Sequence, residues 1–448
     1  MITTLLLALA IQDTSTLTLG RAVERALALH PSVAAARAAR DRAVADAGDV
    51  GSLRLPRLLL EGTLTRYQEP FLVYPLHGFP TAGAPDATQL PIFDRTLAQG
   101  GLSASYTLFD FGQRGARLRA ARALGGAAEA ALGAAELQLL ARAATGYLRV
   151  LTARQTLAAQ DQRLGALDAE AQRTRRLFAE GKAARIELLR VDAEAARARA
   201  ERIGTATQLD VAERDLAQLT GLPYERIHGA PLAAAALRDT TAAADTATGA
   251  RTALVARARE ASPELLEARR RADAAEAGAR AARATRFPEI RLASAIVDRG
   301  RAAGDFRAEW QAGVAVSYPL YTGGSRTNQI RRADADARGA AEQLRLAELT
   351  VAQGVDRALA AVREAHARVA ALGSAAEQSA EVARIERLSL EVGSGTQTDY
   401  LDAEANLLRA RASLIEARHA EIAARIELAR VTGELTLEWL ARALESEP

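Results

Sequence analysis

The pentapeptide Ser105-Tyr106-Thr107-Leu108-Phe109 returns 212 positions later in the chain as Ser317-Tyr318-Pro319-Leu320-Tyr321. The same offset relates two glycines, Gly181 and Gly393, and two acidic residues, Glu187 and Asp399. It also relates two Thr-Gly endings, Leu219-Thr220-Gly221 and Val431-Thr432-Gly433. A single offset held from residue 105 to residue 221 indicates a tandem duplication.

Upstream of this pentapeptide the offset is larger, because the first copy carries an insertion. Pro31 matches Pro263 and Pro56 matches Pro288, both at an offset of 232. The first copy is therefore 20 residues longer (232 minus 212) between Pro56 and Ser105. This insertion predicts an irregular exposed loop, since it is rich in proline. Its prolines are Pro70, Pro75, Pro80, Pro85 and Pro91.

Each copy has the same internal order. A stretch rich in Ala, Arg and Glu, residues 19–48 and again 253–284, predicts a helix that ends at a proline. Two short alternating segments follow, and then a very long helix, Gln113–Ala179 in the first copy and Ser325–Glu391 in the second. A glycine break leads into a return helix that ends at Thr-Gly. The predicted domains are a signal-like segment 1–16, a first repeat 17–221, a linker 222–249, a second repeat 250–433 and a tail 434–448.

The alternating segments carry the most information about function. Each places apolar side chains on one face and polar ones on the other, as a half-buried strand does. The apolar positions are Leu58, Leu60, Gly62 and Leu64; Leu102, Ala104, Tyr106 and Leu108; Ile290, Leu292 and Ile296; and Trp310, Ala312, Val314, Val316, Tyr318 and Leu320. Segments of roughly ten residues with aromatic ends are typical of membrane-crossing strands, although two soluble hairpins remain the alternative.

Strands in lipid must close into a barrel, because an open edge leaves backbone groups without hydrogen bonds. A single-chain barrel needs at least about eight strands, and this chain offers four. Membrane-crossing strands would therefore require several copies of the chain. The sequence predicts an obligate oligomer.

Composition excludes several other classes of protein. The chain has no cysteine, which excludes disulfides, thiolate metal sites and cysteine nucleophiles, and its five histidines show no metal-ligand spacing. A net charge of +3 from 58 basic and 55 acidic residues is not the concentrated positive charge of a nucleic-acid-binding protein. No motif of a catalytic, cofactor or metal site occurs, so we expect no enzyme and no cofactor.

The N-terminus begins with a short apolar run, residues 2–11, that ends in Ala8-Leu9-Ala10. This run is similar to the core of an export signal, although it lacks a basic start. No stretch of 18 consecutive apolar residues occurs elsewhere in the sequence. The sequence therefore predicts an exported protein without a transmembrane helix.

The order of these motifs resembles the TolC family of outer-membrane efflux proteins over residues 17–433. Leu108-Phe109-Asp110-Phe111-Gly112 and Leu320-Tyr321-Thr322-Gly323-Gly324 are similar to the strand-to-helix turns of that family. The segments 181–192 and 393–404 are similar to its helical-hairpin turns, and the opening segment from Leu17 to Pro31 is similar to its entry helix.

The resemblance implies an α+β membrane protein whose tandem repeat supplies four transmembrane β-strands. Three copies would form a 12-stranded barrel in the outer membrane, and their long helices would form a periplasmic α-barrel. A mixed belt around that α-barrel would draw on residues 223–249 and on the tail after Glu434. The implied partners are two further copies in a homotrimer, a periplasmic adaptor (membrane-fusion) protein, an inner-membrane pump of RND, ABC or MFS type, and outer-membrane lipid, with no nucleic acid.

The resemblance also assigns roles to residues at the helical-hairpin turns. The adaptor-docking tip would comprise Gly181, Lys182, Gly393, Ser394 and Gly395. Asp399 and Asp402 would form the periplasmic gate as two stacked anionic rings, because a spacing of three puts both on one helix face. Glu187 and Arg190 are their counterparts in the first repeat.

Two alternatives stay open at this point. Acidic residues at the start of a helix also stabilise its dipole, so Asp399 and Asp402 could have a purely structural role. The whole chain could instead be a soluble structural coiled coil without channel activity. An enzyme carried on a helical scaffold has no support in the residues.

Overall fold

The computed structural model describes residues 16–73, 92–238 and 248–447. The predicted export signal and most of the proline-rich loop lie outside these residues. The helices are α1 Leu19–Leu29, α2 Pro31–Ser52, α3 Gln113–Ala179, α4 Arg185–Thr220, α5 Tyr224–His228, α6 Thr248–Ala261, α7 Pro263–Ala284, α8 Ser325–Glu391, α9 Gln397–Thr432 and α10 Leu437–Ala443. The strands are β1 Arg57–Leu72, β2 Phe93–Phe109, β3 Ala234–Leu237, β4 Glu289–Arg301, β5 Gly304–Ser317 and β6 Leu444–Glu447.

The two copies of the repeat meet in one antiparallel sheet. The order of its strands is β1-β2-β4-β5, so the central β2–β4 pair joins the first copy to the second. The edge strands β1 and β5 each have one side without a partner in this sheet. The strands contain 13 to 17 residues, more than the roughly 9–11 that a tilted strand needs to cross a membrane.

The register confirms the predicted apolar face of the sheet. Leu60 pairs with Leu102, Leu102 with Ile296, and Ile296 with Trp310, which makes one apolar row across all four strands. The two side chains at the ends of this row are solvent-accessible, with Leu60 80% exposed and Trp310 76% exposed. A continuous exposed apolar face of this kind marks a surface that binds lipid or protein.

Three details of the predicted strands are wrong. The register slips between Thr107 and Phe109, so Phe109 pairs with Ile290 and Leu108 lies in a bulge. Strand β5 ends at Ser317, before Tyr318 and Leu320, because Pro319 has no N–H to continue the ladder. Pro70, expected in the loop, lies inside β1 at a second register slip, on an edge strand where proline is tolerated.

Two left-handed residues form each strand-to-helix corner. Phe111 and Gly112 have φ angles of 53° and 83° between β2 and α3, and Gly323 and Gly324 have 58° and 81° between β5 and α8. Only glycine adopts this conformation without strain, so Phe111 needs support from its surroundings. Its ring stacks on Phe287 at 4.7 Å between ring centroids and meets the edge of Phe109 at the same distance.

An arginine just after each corner holds the turn through its side-chain hydrogen bonds. Arg114 donates from Nε to the Asp110 carboxylate at 2.8 Å, and its terminal nitrogens donate to the carbonyls of Thr107 and Leu53 at 2.5 Å and 3.1 Å. Arg326, its counterpart at the 212 offset, donates to the Pro319 carbonyl at 2.8 Å and has no carboxylate at the position of Asp110. The first corner therefore holds a partly buried ion pair that the second lacks.

We expect Arg114→Ala to destabilise the folded protein by about 2–3 kcal/mol, because it leaves the Asp110 carboxylate without its charged donor. The matched variant Arg326→Ala removes one hydrogen bond to a carbonyl and should cost about 1 kcal/mol. Urea unfolding of the two variants in detergent, followed by circular dichroism, measures both losses. Equal losses for the two variants would contradict this account of the first corner.

The helical stretches that begin each copy are interrupted, contrary to the prediction of one continuous helix. Helix α1 ends at Leu29 and α2 starts at Pro31, while α6 ends at Ala261 and α7 starts at Pro263. The residue before a proline is pushed towards extended backbone, and His30 has φ −71° and ψ 131°. Among the described residues, no helix is both long enough and apolar enough to cross a membrane.

The described chain divides into two compact units. One comprises residues 40–128 and 268–344 and contains the four-stranded sheet. The other comprises the described residues within 16–39, 129–238, 248–267 and 345–447 and contains β3 paired antiparallel with β6, from the two segments that the resemblance assigns to the belt. In this second unit the Tyr147 hydroxyl lies 2.8 Å from the Leu17 carbonyl and 2.7 Å from the Ala233 carbonyl, which ties the start of the chain to the linker.

Candidate functional site at the helical-hairpin ends

The turn between α3 and α4 contains the first part of the predicted docking tip. Helix α3 ends at Ala179, and Gly181 follows with φ 72°, a conformation that favours glycine. The Gly181 N–H donates to the Phe178 carbonyl at 3.0 Å and the Lys182 N–H to the Leu177 carbonyl at 2.8 Å. These bonds close the end of α3 and leave Lys182 at the turn, 69% exposed and bonded only to Glu180.

The turn between α8 and α9 has the same construction. Gly393 has φ 78°, and the N–H groups of Ser394 and Gly395 both donate to the Ser389 carbonyl at 2.9 Å. A side chain at Gly395 would meet the Ser389 side chain at 2.8 Å, so only glycine fits there. Both predicted tip segments therefore are short, tightly bonded reversals between long helices.

The two predicted gate residues lie in the first two turns of α9. The Thr396 hydroxyl caps this helix, accepting from the Asp399 N–H at 3.2 Å and donating to the Asp399 carboxylate at 2.6 Å. Asp399 thus has the structural role that competes with the gate assignment. Asp402 lies nearly one turn further on, also exposed, and makes no ion pair within the described part of the chain.

The first-repeat counterparts behave differently from each other. Glu187 lies in the first turn of α4, where its charge favours the helix dipole. Arg190 reaches across to the second repeat and donates to the Thr398 hydroxyl at 2.6 Å. The structure thus brings one predicted counterpart, Arg190, into contact with the start of the gate helix.

A further contact at the start of α9 was missed by sequence reasoning. The Gln397 amide donates to the Glu170 carboxylate at 3.0 Å and to the Thr174 hydroxyl at 2.7 Å, both on α3. These residues follow no motif, and their pairing depends on the packing of two helices that are distant in sequence. Two contacts, from Gln397 and Thr398, therefore tie the gate helix to the first repeat.

Helices α3 and α9 also contact each other at Thr152 and His419. The His419 ring lies 2.7 Å from the Thr152 hydroxyl, which itself donates to the Leu148 carbonyl, so His419 donates from Nδ1. Burial lowers the pKa of His419 from 6.5 to about 4, with a smaller contribution from the charge of Arg418. His419 is therefore neutral between α3 and α9 at neutral pH.

The lowered pKa of His419 makes stability depend on pH. The unfolded chain binds a proton near pH 6.5 and the folded chain only near pH 4, so the free energy of unfolding falls as pH drops through this window. Between about pH 7 and pH 5 we expect a loss of about 2 kcal/mol from this residue. His419→Gln keeps an amide donor for Thr152 and should flatten the pH dependence of thermal unfolding. An unchanged pH profile in this variant would contradict the assignment.

The two helical hairpins differ in the ion pairs between their helices. Five aspartate or glutamate side chains link α3 to α4 through arginines; the pairs are Asp161–Arg202, Arg163–Glu194, Arg163–Glu201, Asp168–Arg199 and Arg175–Asp192. Between α8 and α9, by contrast, the Glu421 carboxylate lies 3.1 Å from the ring of a histidine, His366, and not from an arginine of α8. The first hairpin is therefore held together by more electrostatic contacts than the second.

The hairpin ends were also considered as a metal-binding site. Among the described residues, no group of three His, Asp or Glu side chains is arranged to hold a metal ion. The carboxylates at the hairpin ends are exposed or bonded to hydroxyls and arginines.

The sequence profile of the outer membrane efflux protein family matches residues 22–222 and 254–434. The chain belongs to the outer membrane efflux protein family. It is an outer-membrane protein that extends into the periplasm, and the family consists of channels.

Individual relatives agree with this assignment. Outer membrane efflux protein BepC of Brucella suis biovar 1 (strain 1330) is 26% identical over 353 residues, which cover 77% of this chain and 74% of BepC. The fold is similar to that of the outer membrane protein VceC of Vibrio cholerae, with a TM-score of 0.76 and 22% identity over 93% of this chain and 96% of VceC. The Campylobacter jejuni CmeC outer membrane channel has a TM-score of 0.79 at 15% identity, covering 93% of this chain and 85% of CmeC.

Proposed function

We propose that this efflux-family chain is the passive exit duct of a tripartite efflux or type I secretion system. Substrates would pass from an inner-membrane pump and a periplasmic adaptor through the lumen of a homotrimer. The observation that carries this proposal is the sheet, which has one exposed apolar face and two edges without partners. In lipid such edges must be paired, and three copies would pair them in a barrel of twelve strands.

A soluble structural coiled coil is the less favoured alternative. It would leave Leu60 and Trp310, and the apolar row between them, in water. Monomeric soluble proteins rarely expose continuous apolar surfaces of this size. The exposed row therefore supports the membrane-spanning arrangement.

The gate of the duct would be the ends of the second hairpin. Asp399 and Asp402 from three copies would form two anionic rings, in which bound cations narrow the opening. The contacts of Gln397 and Thr398 with the first repeat would hold α9 in its resting position. The second hairpin would move on opening, since fewer ion pairs join its helices.

We expect Asp399→Asn with Asp402→Asn to raise the resting conductance and reduce the preference for cations. Asparagine keeps an oxygen that accepts from the Thr396 hydroxyl, so the helix cap survives while the ring charge is lost. The measurement is single-channel conductance and reversal potential in a planar bilayer under a salt gradient. Glu187→Gln, the matched change in the first repeat, should leave both quantities close to those of the unmodified protein. If the double variant shows unchanged conductance and selectivity, the gate assignment is wrong.

The docking role of the tip can be tested through Lys182, because it is the only lysine in the chain. An amine-reactive photo-crosslinker on this residue, used in native cell envelopes, should capture a periplasmic adaptor that mass spectrometry can identify. Lys182→Arg keeps the charge and should abolish the capture. In the Lys182→Arg background, Arg42→Lys restores an exposed amine elsewhere on the chain and should not restore the product. Equal capture by the Arg42→Lys chain would argue against docking at the tip.

A further inference from the structure

Helix α4 carries an apolar surface that no described residue of the chain covers. Besides the positions that face α3, it has a second series spaced alternately by three and four residues, the repeat by which helices pack side by side. All seven members are exposed. They are Ile186, Leu189, Ala193, Ala196, Ala200, Ile203 and Thr207, and we call them the α4 seam.

Helix α8 has a matching surface. A series of its residues near the C-terminal end follows the same alternating spacing, and these residues are likewise mostly exposed. Val382 is 50% exposed and Ile385 47%, as large apolar side chains at the end of a helix seldom are without a partner. The members of this α8 seam are Ala371, Ala375, Gln378, Val382 and Ile385.

The duplication shows what these seams pack against. Within the chain, α3 of the first copy contacts α9 of the second through Gln397 with Glu170 and Thr174 and through His419 with Thr152. The register is taken from two pairs, Gln397–Thr174 and His419–Thr152. The residue numbers of both pairs total 571, as facing residues do in an antiparallel pair in constant register. The repeat equates α3 with α8 and α9 with α4, so the equivalent contact would join α8 to α4 in that register.

The register from the repeat agrees with the two seams, which were defined by their spacing and exposure and not by this register. At a total of 571, Ile186 faces Ile385 and Leu189 faces Val382. Ala196 and Ala200 then face Ala375 and Ala371, and Ala193 faces Gln378. The last two members of the α4 seam, Ile203 and Thr207, lie beyond the α8 seam and face Arg368 and Glu364. Two independent observations thus give one alignment in which apolar side chains meet.

The repeat also assigns a polar contact at the end of this interface. Gln397 corresponds to Arg185 and Thr174 corresponds to Glu386, both at the offset of 212. Neither Arg185 nor Glu386 makes an ion pair within the described part of the chain. Arg185 is the first residue of α4, where a positive charge opposes the helix dipole and the preceding Ala184 provides no side-chain cap. A carboxylate partner accounts for an arginine at that position.

We propose that the α4 seam packs against the α8 seam of a second copy of this chain, with Arg185 paired to Glu386 of the partner subunit. One subunit contributes its α4 seam and the next contributes its α8 seam, so the contact is head-to-tail. Three such contacts close a ring in the trimer. This inference rests on the proposed trimeric duct. It assigns to the hairpin ends a contact between subunits that is equivalent, through the repeat, to the contact of α3 with α9 inside one chain.

The test uses the absence of cysteine from the sequence. Arg185→Cys combined with Glu386→Cys, oxidised in membranes, should give covalent dimers and trimers on a denaturing gel. Neither single variant should do so. The matched control, Thr174→Cys with Gln397→Cys, places the equivalent pair within one chain and should lose its free thiols while remaining a monomer. A 185/386 pair that stays monomeric would overturn the proposal, whether its thiols remain free or join within one chain.

Charge reversal provides a second measurement that does not depend on disulfide geometry. Arg185→Glu improves the match with the dipole of α4, so a loss of trimer cannot come from a weaker helix. We expect the ratio of monomer to trimer on mild heating in detergent to rise about tenfold, as for a lost close ion pair at an interface. Arg185→Glu with Glu386→Arg should restore most of the trimer. No restoration in the double variant would contradict the pairing.

These outcomes are separable from failure of the proposed function. Crosslinked trimers without conductance or adaptor capture would refute the duct and leave the seam contact standing. Conductance with full adaptor capture, but without a crosslink between residues 185 and 386, would refute the seam contact alone.

Discussion

Backbone hydrogen bonding in a medium without water is the constraint on which the rest of this structure depends. Strands β1 and β5 each present one row of N–H and C=O groups that no other strand in the described part of the chain satisfies. In the outer membrane these groups need partners from other copies. The exposed apolar row from Leu60 to Trp310 lies on the same sheet and fits an environment of lipid better than one of water.

The duplication extends this dependence from the strands to the helices. Each copy supplies two strands, a corner of two left-handed residues, a long helix and a return helix. Because the two repeats are alike, each contact between them inside one chain has an equivalent pair of surfaces that can only meet between two subunits. The pairing of α3 with α9 therefore leaves the seams of α4 and α8 without a partner, just as the β2–β4 pairing leaves β1 and β5 as edges.

The differences between the copies give the two hairpins different properties. Arg114 has the Asp110 carboxylate at its corner, whereas Arg326 has only a carbonyl. Arginine–carboxylate pairs link α3 to α4 along their length, whereas the contact described between α8 and α9 joins Glu421 to a histidine, His366. A hairpin with fewer directional contacts needs less free energy to shift, and it is the one that carries Asp399 and Asp402.

The sequence by itself determined the duplication, the four strands with their apolar faces and the limits of the long helices. These features depend on local periodicity and on matched glycines, which a single chain displays directly. It did not reveal the slip at Leu108, the strand position of Pro70 or the break at His30, because register and helix ends depend on neighbouring elements. Only the tertiary structure brought Gln397 to Thr174, Arg190 to Thr398 and Arg114 to Leu53. Such contacts join residues with no fixed spacing in the sequence, and packing alone decides which of them meet.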